Sequence, residues 1–216
     1  MKILNYIDPK LFFPESTITI PFGIDNKTFP GNPRCHPIDR ALPINKEKRY
    51  KDFPIYNPCE VIKTKWIDDN GAGVSILRLI GEGFELRLLH LLREELFPDT
   101  RALILNGLPI DKGSIIGPAG NYGLSVSNFG GSGRHVHYSL TLEKGIYDSD
   151  LDEKWGNLWK KNDKDNLIKK YGPYLKEDMK NRGGGIKLMN NFLYEYIDPF
   201  MKKESYIVDS YNLIKL

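Results

Sequence analysis

GSGRHVHYSLTL, residues 131–142, is the stretch on which the fold turns. It alternates, and in an extended chain successive side chains point to opposite faces, so His135 and His137 share one face of a predicted strand. A glycine-rich turn precedes it, as expected where a strand leaves a loop. Two imidazoles a few ångströms apart suit a metal site with a neighbouring acid/base group. Equally, the pair can be two surface or hydrogen-bonded histidines.

Upstream, from Pro54 to Leu142, the text keeps this character. CEVIKTKWI, GVSILRLIG, FELRLLHLL, RALILNG and GLSVSN are short apolar or alternating runs separated by glycine-bearing turns. Such runs at such spacing predict an antiparallel sheet folded on itself. LLHLLREEL has helical propensity, but the alternation of FELRLLH predicts a strand running into a short turn. Residues 1–35 are rich in Pro, Gly and Asn and read as an N-terminal arm with one β-like run, STITIPF. After residue 143 the chain becomes charged and aromatic, and Leu151, Trp155, Leu158 and Trp159 fall at helical spacing. The expected organisation is an arm over 1–35, a β core over 36–143 and a mainly helical C-terminal extension over 144–216. The fold class is mainly β, α+β overall, with an antiparallel sheet or sandwich as its core.

Composition narrows the function classes. With 40% hydrophobic and 12% aromatic residues among 216, the chain can bury a sizeable core. Its 31 basic and 28 acidic residues are spread along it, without the concentrated basic footprint of a nucleic-acid binder. No apolar stretch reaches the roughly 18 residues of a membrane span. Two cysteines, Cys35 and Cys59, are too few for a disulfide framework. The N-terminus shows no uninterrupted apolar region and no small-residue cleavage site, so no signal peptide is visible.

The chain has four histidines, His36, His90, His135 and His137. His36 and Asp39 lie in CHPIDRALP, a close pair on a proline-containing turn. With the H-x-H pair they offer two nitrogens and a carboxylate oxygen and leave a fourth position for water, the ligand pattern of a catalytic zinc. The plainer readings are an Asp39 that caps a turn and a His90 that is a satisfied core histidine.

Taken in order, these segments resemble the LytM/lysostaphin family of zinc metallopeptidases, which have a duplicated hybrid motif fold. The resemblance covers residues 36–142 and rests on HPID at 36–39, IYNPCEVIKT at 55–64, ELRLLHLL at 85–92, ILNGLPIDKGSIIGPAGNYG at 104–123 and GSGRHVHYSL at 131–140. It implies that His36, Asp39 and His137 bind Zn2+ and that His90 and His135 are catalytic histidines beside the metal. No H-E-x-x-H motif is present, which separates the chain from thermolysin-like enzymes. GSGRHVHYSL also resembles a glutamine synthetase signature, but the other nucleotide and glutamate motifs of that much longer enzyme are missing.

Two features depart from the family pattern. Two residues, Pro37 and Ile38, separate His36 from Asp39 where the family has three, so a bend or bulge must re-aim one ligand. Cys35 is an outside candidate for a fourth ligand. A longer connection, NKEKRYKDF, and the Gly/Ser/Asn stretch 120–133 are expected beside the cleft, where Tyr122 and Asn128 are candidate groove residues. The function implied is endopeptidase cleavage of peptide cross-links or stem peptides of bacterial peptidoglycan, made in the cytoplasm and acting at the cell wall as a virion component or after lysis. Phage structural proteins are the expected partners of the C-terminal extension, with no nucleic-acid partner. The alternative is a structural component of a larger assembly, such as a phage tail, that uses an inactive peptidase fold.

Overall fold

A computed structural model describes residues 1–20, 24–25, 38–47, 49–68, 74–121, 133–156, 187–188, 193–198 and 200–214. Its strands, in chain order, are β1 Thr17–Ile20, β2 Ile24–Asp25, β3 Ile38–Ala41, β4 Ile55–Tyr56, β5 Lys63–Ile67, β6 Ile76–Ile80, β7 Phe84–Leu89, β8 Ile115–Gly117, β9 His135–Glu143, β10 Lys187–Leu188, β11 Leu193–Ile197 and β12 Glu204–Val208. Eight of them form one sheet, which runs β1-β3-β9-β7-β6-β5 with β12 and β11 joined through β9. Among the described residues every pairing in that sheet is antiparallel. The predicted mainly β class is the observed one.

Strand β9 is the centre. Along one edge it pairs with β7, from Leu89 opposite His137 to Phe84 opposite Leu142. Its other edge is shared: β3 takes residues 135–138 and β12 takes residues 140–143. The period-2 pattern decides what each face does. Val136, Tyr138, Leu140 and Leu142 are fully buried in the main core with Leu77, Leu79, Leu86 and Leu88. Ile3, Ile7, Phe12 and Phe13 of the first segment pack into that same core. His135, His137, Ser139 and Thr141 therefore line the opposite face.

That second face is also covered. Arg78, Glu85 and Arg87 occupy it on β6 and β7, and all three are buried. Arg78 donates to both carboxylate oxygens of Glu85 at 2.6 Å, and Arg87 bridges Glu85 at 2.5 Å to Asp198 at 2.6 Å. Asp198 also accepts from the backbone N–H groups of Phe200 and Met201, and the Phe200 ring lies 4.7 and 4.8 Å from the two guanidinium carbons. Two positive and two negative charges thus share a nearly dry layer, each carboxylate held by charge-assisted hydrogen bonds.

Helices are few among the described residues. α1 is Ile44–Glu47, α2 is Pro98–Leu105 and α3 is Asp148–Trp155, and a short helix spans Ser210–Ile214. α2 starts with proline in its first turn, where the missing N–H costs nothing. α3 carries Asp148 and Asp150 at its N-terminal end and Lys154 at its C-terminal end, in keeping with the helix dipole. It buries Leu151 and Trp155 at the predicted helical spacing, while Leu158 and Trp159 lie outside the described residues. The segment after residue 143 was expected to be mainly helical; its described residues also contain β11 and β12, which join the main sheet because Tyr206 and Val208 complete the apolar face. No helix among the described residues is long and apolar enough to cross a membrane.

Breaking the buried layer should cost more than breaking a surface pair. Glu85→Ala leaves two guanidinium groups facing a void and is expected to lower unfolding free energy by about 3–5 kcal/mol in urea titration. Lys203→Ala, which removes the solvent-exposed pair with Glu143 at 2.7 Å, is expected to change it by less than about 1 kcal/mol.

Candidate metal and catalytic centre

The register of three strands builds the centre. Asp39 on β3 stands directly opposite His137 on β9, and Leu89, the last residue of β7, faces His137 from the other side. His135 lies two residues before His137 and His90 immediately after Leu89, so four polar side chains gather at one end of the sheet. Asp39, His90 and His137 are buried, and His135 is partly so. Four of the five predicted site residues are therefore together; His36 lies outside the described residues, as do Cys35, Tyr122 and Asn128.

The distances show how the groups face one another. Asp39 Oδ1 is 3.1 Å from His137 Nδ1, and Asp39 Oδ2 is 3.8 Å from His135 Nε2. Candidate donor nitrogens of His90, His135 and His137 all lie within 4.8 Å of one another. The His90 ring centroid is 4.8 Å from that of His135 and 5.7 Å from that of His137. Two ligand atoms at tetrahedral angles on one zinc, each about 2.0–2.1 Å from it, stand about 3.3 Å apart. The Asp39–His137 spacing matches that figure, and the carboxylate and imidazole donors are of the kind zinc takes. The other two imidazoles flank the pair.

His135 has a defined orientation. Its Nδ1 is 3.0 Å from the carbonyl oxygen of Gly133. A carbonyl only accepts, so that contact is a hydrogen bond when Nδ1 carries the proton, which leaves Nε2 of the neutral ring as the basic nitrogen turned toward Asp39.

His90 is held in an unusual backbone conformation. Its φ is +69°, in the left-handed region that side-chain-bearing residues avoid. Residues kept there when the fold over-determines them concentrate at functional sites. This tells against the plain reading of His90 as one more core residue in an apolar run.

Arg134, which precedes His135 in the chain, belongs to a charge cluster that no local sequence pattern announces. Arg134 donates to Glu95 at 2.6 and 3.1 Å and to the Ala119 carbonyl at 3.0 Å, and its guanidinium lies 3.6 Å from the centre of the Tyr50 ring. The Tyr50 hydroxyl donates to Glu95 at 2.8 Å. Tyr50 belongs to the NKEKRYKDF connection, so this insertion is fastened to the residue that precedes the H-x-H pair. Partial burial opposes the charge on Glu95, but hydrogen bonds from Arg134 and Tyr50, with the charges of Arg134 and Lys51, outweigh it and hold the carboxyl below its ordinary range.

No protein-family model and no curated protein matches the chain. Among solved structures, the antimicrobial peptidase lysostaphin from Staphylococcus simulans is similar at 12% identity and a TM-score of 0.39, over 89% of this chain and 87% of that one.

Two outcomes follow from the geometry. His90→Asn, which tolerates the left-handed region, should be more stable than His90→Val by about 1–2 kcal/mol, read from denaturant midpoints. Because the folded-state pKa of Glu95 is depressed, its stabilisation is present above the unfolded value of about 4.3 and is lost as pH falls through the lower folded value. Glu95→Gln should therefore lose stability at neutral pH and show a shallower acid limb than the parent in pH-dependent thermal denaturation.

Proposed function

We propose that this chain is a zinc-dependent endopeptidase that hydrolyses peptide cross-links or stem peptides of bacterial peptidoglycan, acting at the cell wall as a virion component or after lysis. The observation that supports it is the convergence of Asp39, His90, His135 and His137 at one end of the sheet, with the Asp39–His137 pair at the spacing of two ligands on one ion. In this reading His36, Asp39 and His137 hold the metal. Zinc bound there would supply Lewis acidity toward a peptide carbonyl and a water of lowered pKa.

The remaining groups have roles set by their surroundings. His135, with Nδ1 committed to the Gly133 carbonyl, presents Nε2 to take a proton from the attacking water. His90, beside it, donates a hydrogen bond to the oxygen that gains negative charge as the carbonyl carbon becomes tetrahedral. The wall-peptide substrate rests on the resemblance of the histidine and aspartate motifs, and the hydrolytic chemistry on the site.

Metal analysis tests the reading directly. One zinc per chain is expected, lost in His137→Ala, together with turbidity loss of bacterial wall suspensions that a chelator abolishes. His135→Ala should keep the metal and lose hydrolysis by about 100-fold or more. A chain that takes up no zinc on reconstitution and clears no wall suspension would favour the structural-component alternative.

A further inference from the structure

Gly120 and Ser75 are not among the metal or catalytic candidates, yet both touch the backbone that carries His90. Gly120 sits against it so closely that a Cβ at this position would lie 2.0 Å from the His90 carbonyl oxygen, 2.9 Å from its carbonyl carbon and 2.9 Å from Leu91 Cα. Those are backbone atoms, which cannot swing aside as a flexible side chain does. The same residue reaches the neighbouring catalytic candidate: the Gly120 carbonyl accepts the His135 N–H at 3.0 Å, in an isolated antiparallel bridge. One glycine is thus wedged between the main chains of His90 and His135.

Ser75 holds the same stretch of backbone by hydrogen bonds. Its carbonyl accepts the His90 N–H at 3.3 Å, and its buried hydroxyl donates to the Leu91 carbonyl at 2.5 Å. These bonds bracket the residue whose φ is +69° and satisfy buried backbone groups that the end of β7 would otherwise leave unpaired. An extended φ at position 90 would continue β7 past Leu89 and carry the imidazole away from His135. Left-handed geometry at this one residue instead turns the ring inward, to 4.8 Å from the His135 ring.

We propose that Gly120 and Ser75 are positioning residues that hold His90 in its left-handed conformation and so set the spacing between the His90 imidazole, which hydrogen-bonds the developing oxyanion, and the His135 imidazole, which takes the proton of the attacking water. The catalytic half of this assignment rests on the hydrolase reading; the geometric half does not. Neither residue touches the reacting atoms. Gly120 acts by the absence of a side chain and Ser75 by two hydrogen bonds.

The test uses full-length Gly120→Ala and Ser75→Ala beside the parent. With only four histidines in the chain, imidazole proton resonances are few enough to assign, and a ring-to-ring nuclear Overhauser contact between His90 and His135 reports their spacing. Gly120→Ala is expected to abolish that contact and to lower kcat on soluble wall peptide about 100-fold, with KM little changed. Ser75→Ala, which adds no bulk, should weaken the contact and lower kcat by a smaller factor in the same direction. If Gly120→Ala does not fold, Ser75→Ala decides the matter. A folded variant that keeps both the ring contact and the parental kcat overturns the proposal. Should the parent cleave no wall peptide while the ring contact still disappears in the variants, the positioning role stands and the hydrolase reading falls.

Discussion

Three backbones meet at His137. Its pairing with Asp39 across β3 and with Leu89 across β7 fixes which side chains share its face, and a slip of one residue in either ladder would turn Asp39 into the core or move His90 out of reach. The apolar residues of β9 are the guard against such a slip. Val136, Tyr138, Leu140 and Leu142 are all at zero exposure, so the wrong register would place histidine, serine and threonine in the core and strip the sheet of its main burial. The chemistry of the site therefore depends on hydrophobic packing behind it.

The same register accounts for the buried ionic layer. Continuing along the face from His137, the sheet presents Leu89 and Ile76, then Arg87 and Arg78, then Glu85. Buried ion pairs seldom add net stability over well-packed apolar groups, and what they impose is pairing in one geometry. Here the partner that completes the set, Asp198, comes from the C-terminal segment, so the layer fastens that segment to the site-bearing face.

Much of this was legible in the sequence, and the reasons are local. The alternation in RHVHYSLTL and FELRLLH records burial on one side, which the strands reproduce, and the H-x-H spacing forces both imidazoles onto one face. Asp39 is three positions from His36 in the sequence, yet cross-strand pairing places it against His137, a contact that no local pattern encodes. The Arg87–Asp198 contact spans 111 positions and was invisible for the same reason. His90 was readable as an apolar-run histidine but not as a left-handed one, since that conformation is imposed by Ser75 and Gly120 from elsewhere in the chain. Strands β11 and β12 were hidden inside a charged and aromatic segment whose helical spacing near Trp155 set the expectation for all of it.

The shared edge of β9 has a consequence for how the molecule comes into being. Residues 38–41 and 205–208 follow one another along it, so the edge draws on chain separated by most of the polypeptide. A ribosome that has released β9 has not yet released β12, and the strip beside Leu140 to Glu143 waits, bare, for the last strand to arrive. Long-range strand pairing of this kind is slow to form and leaves sheet edges open to other chains in the meantime. The molecule is thus most exposed to wrong partners during the interval between the synthesis of its site and the synthesis of the strand that seals the sheet beside it.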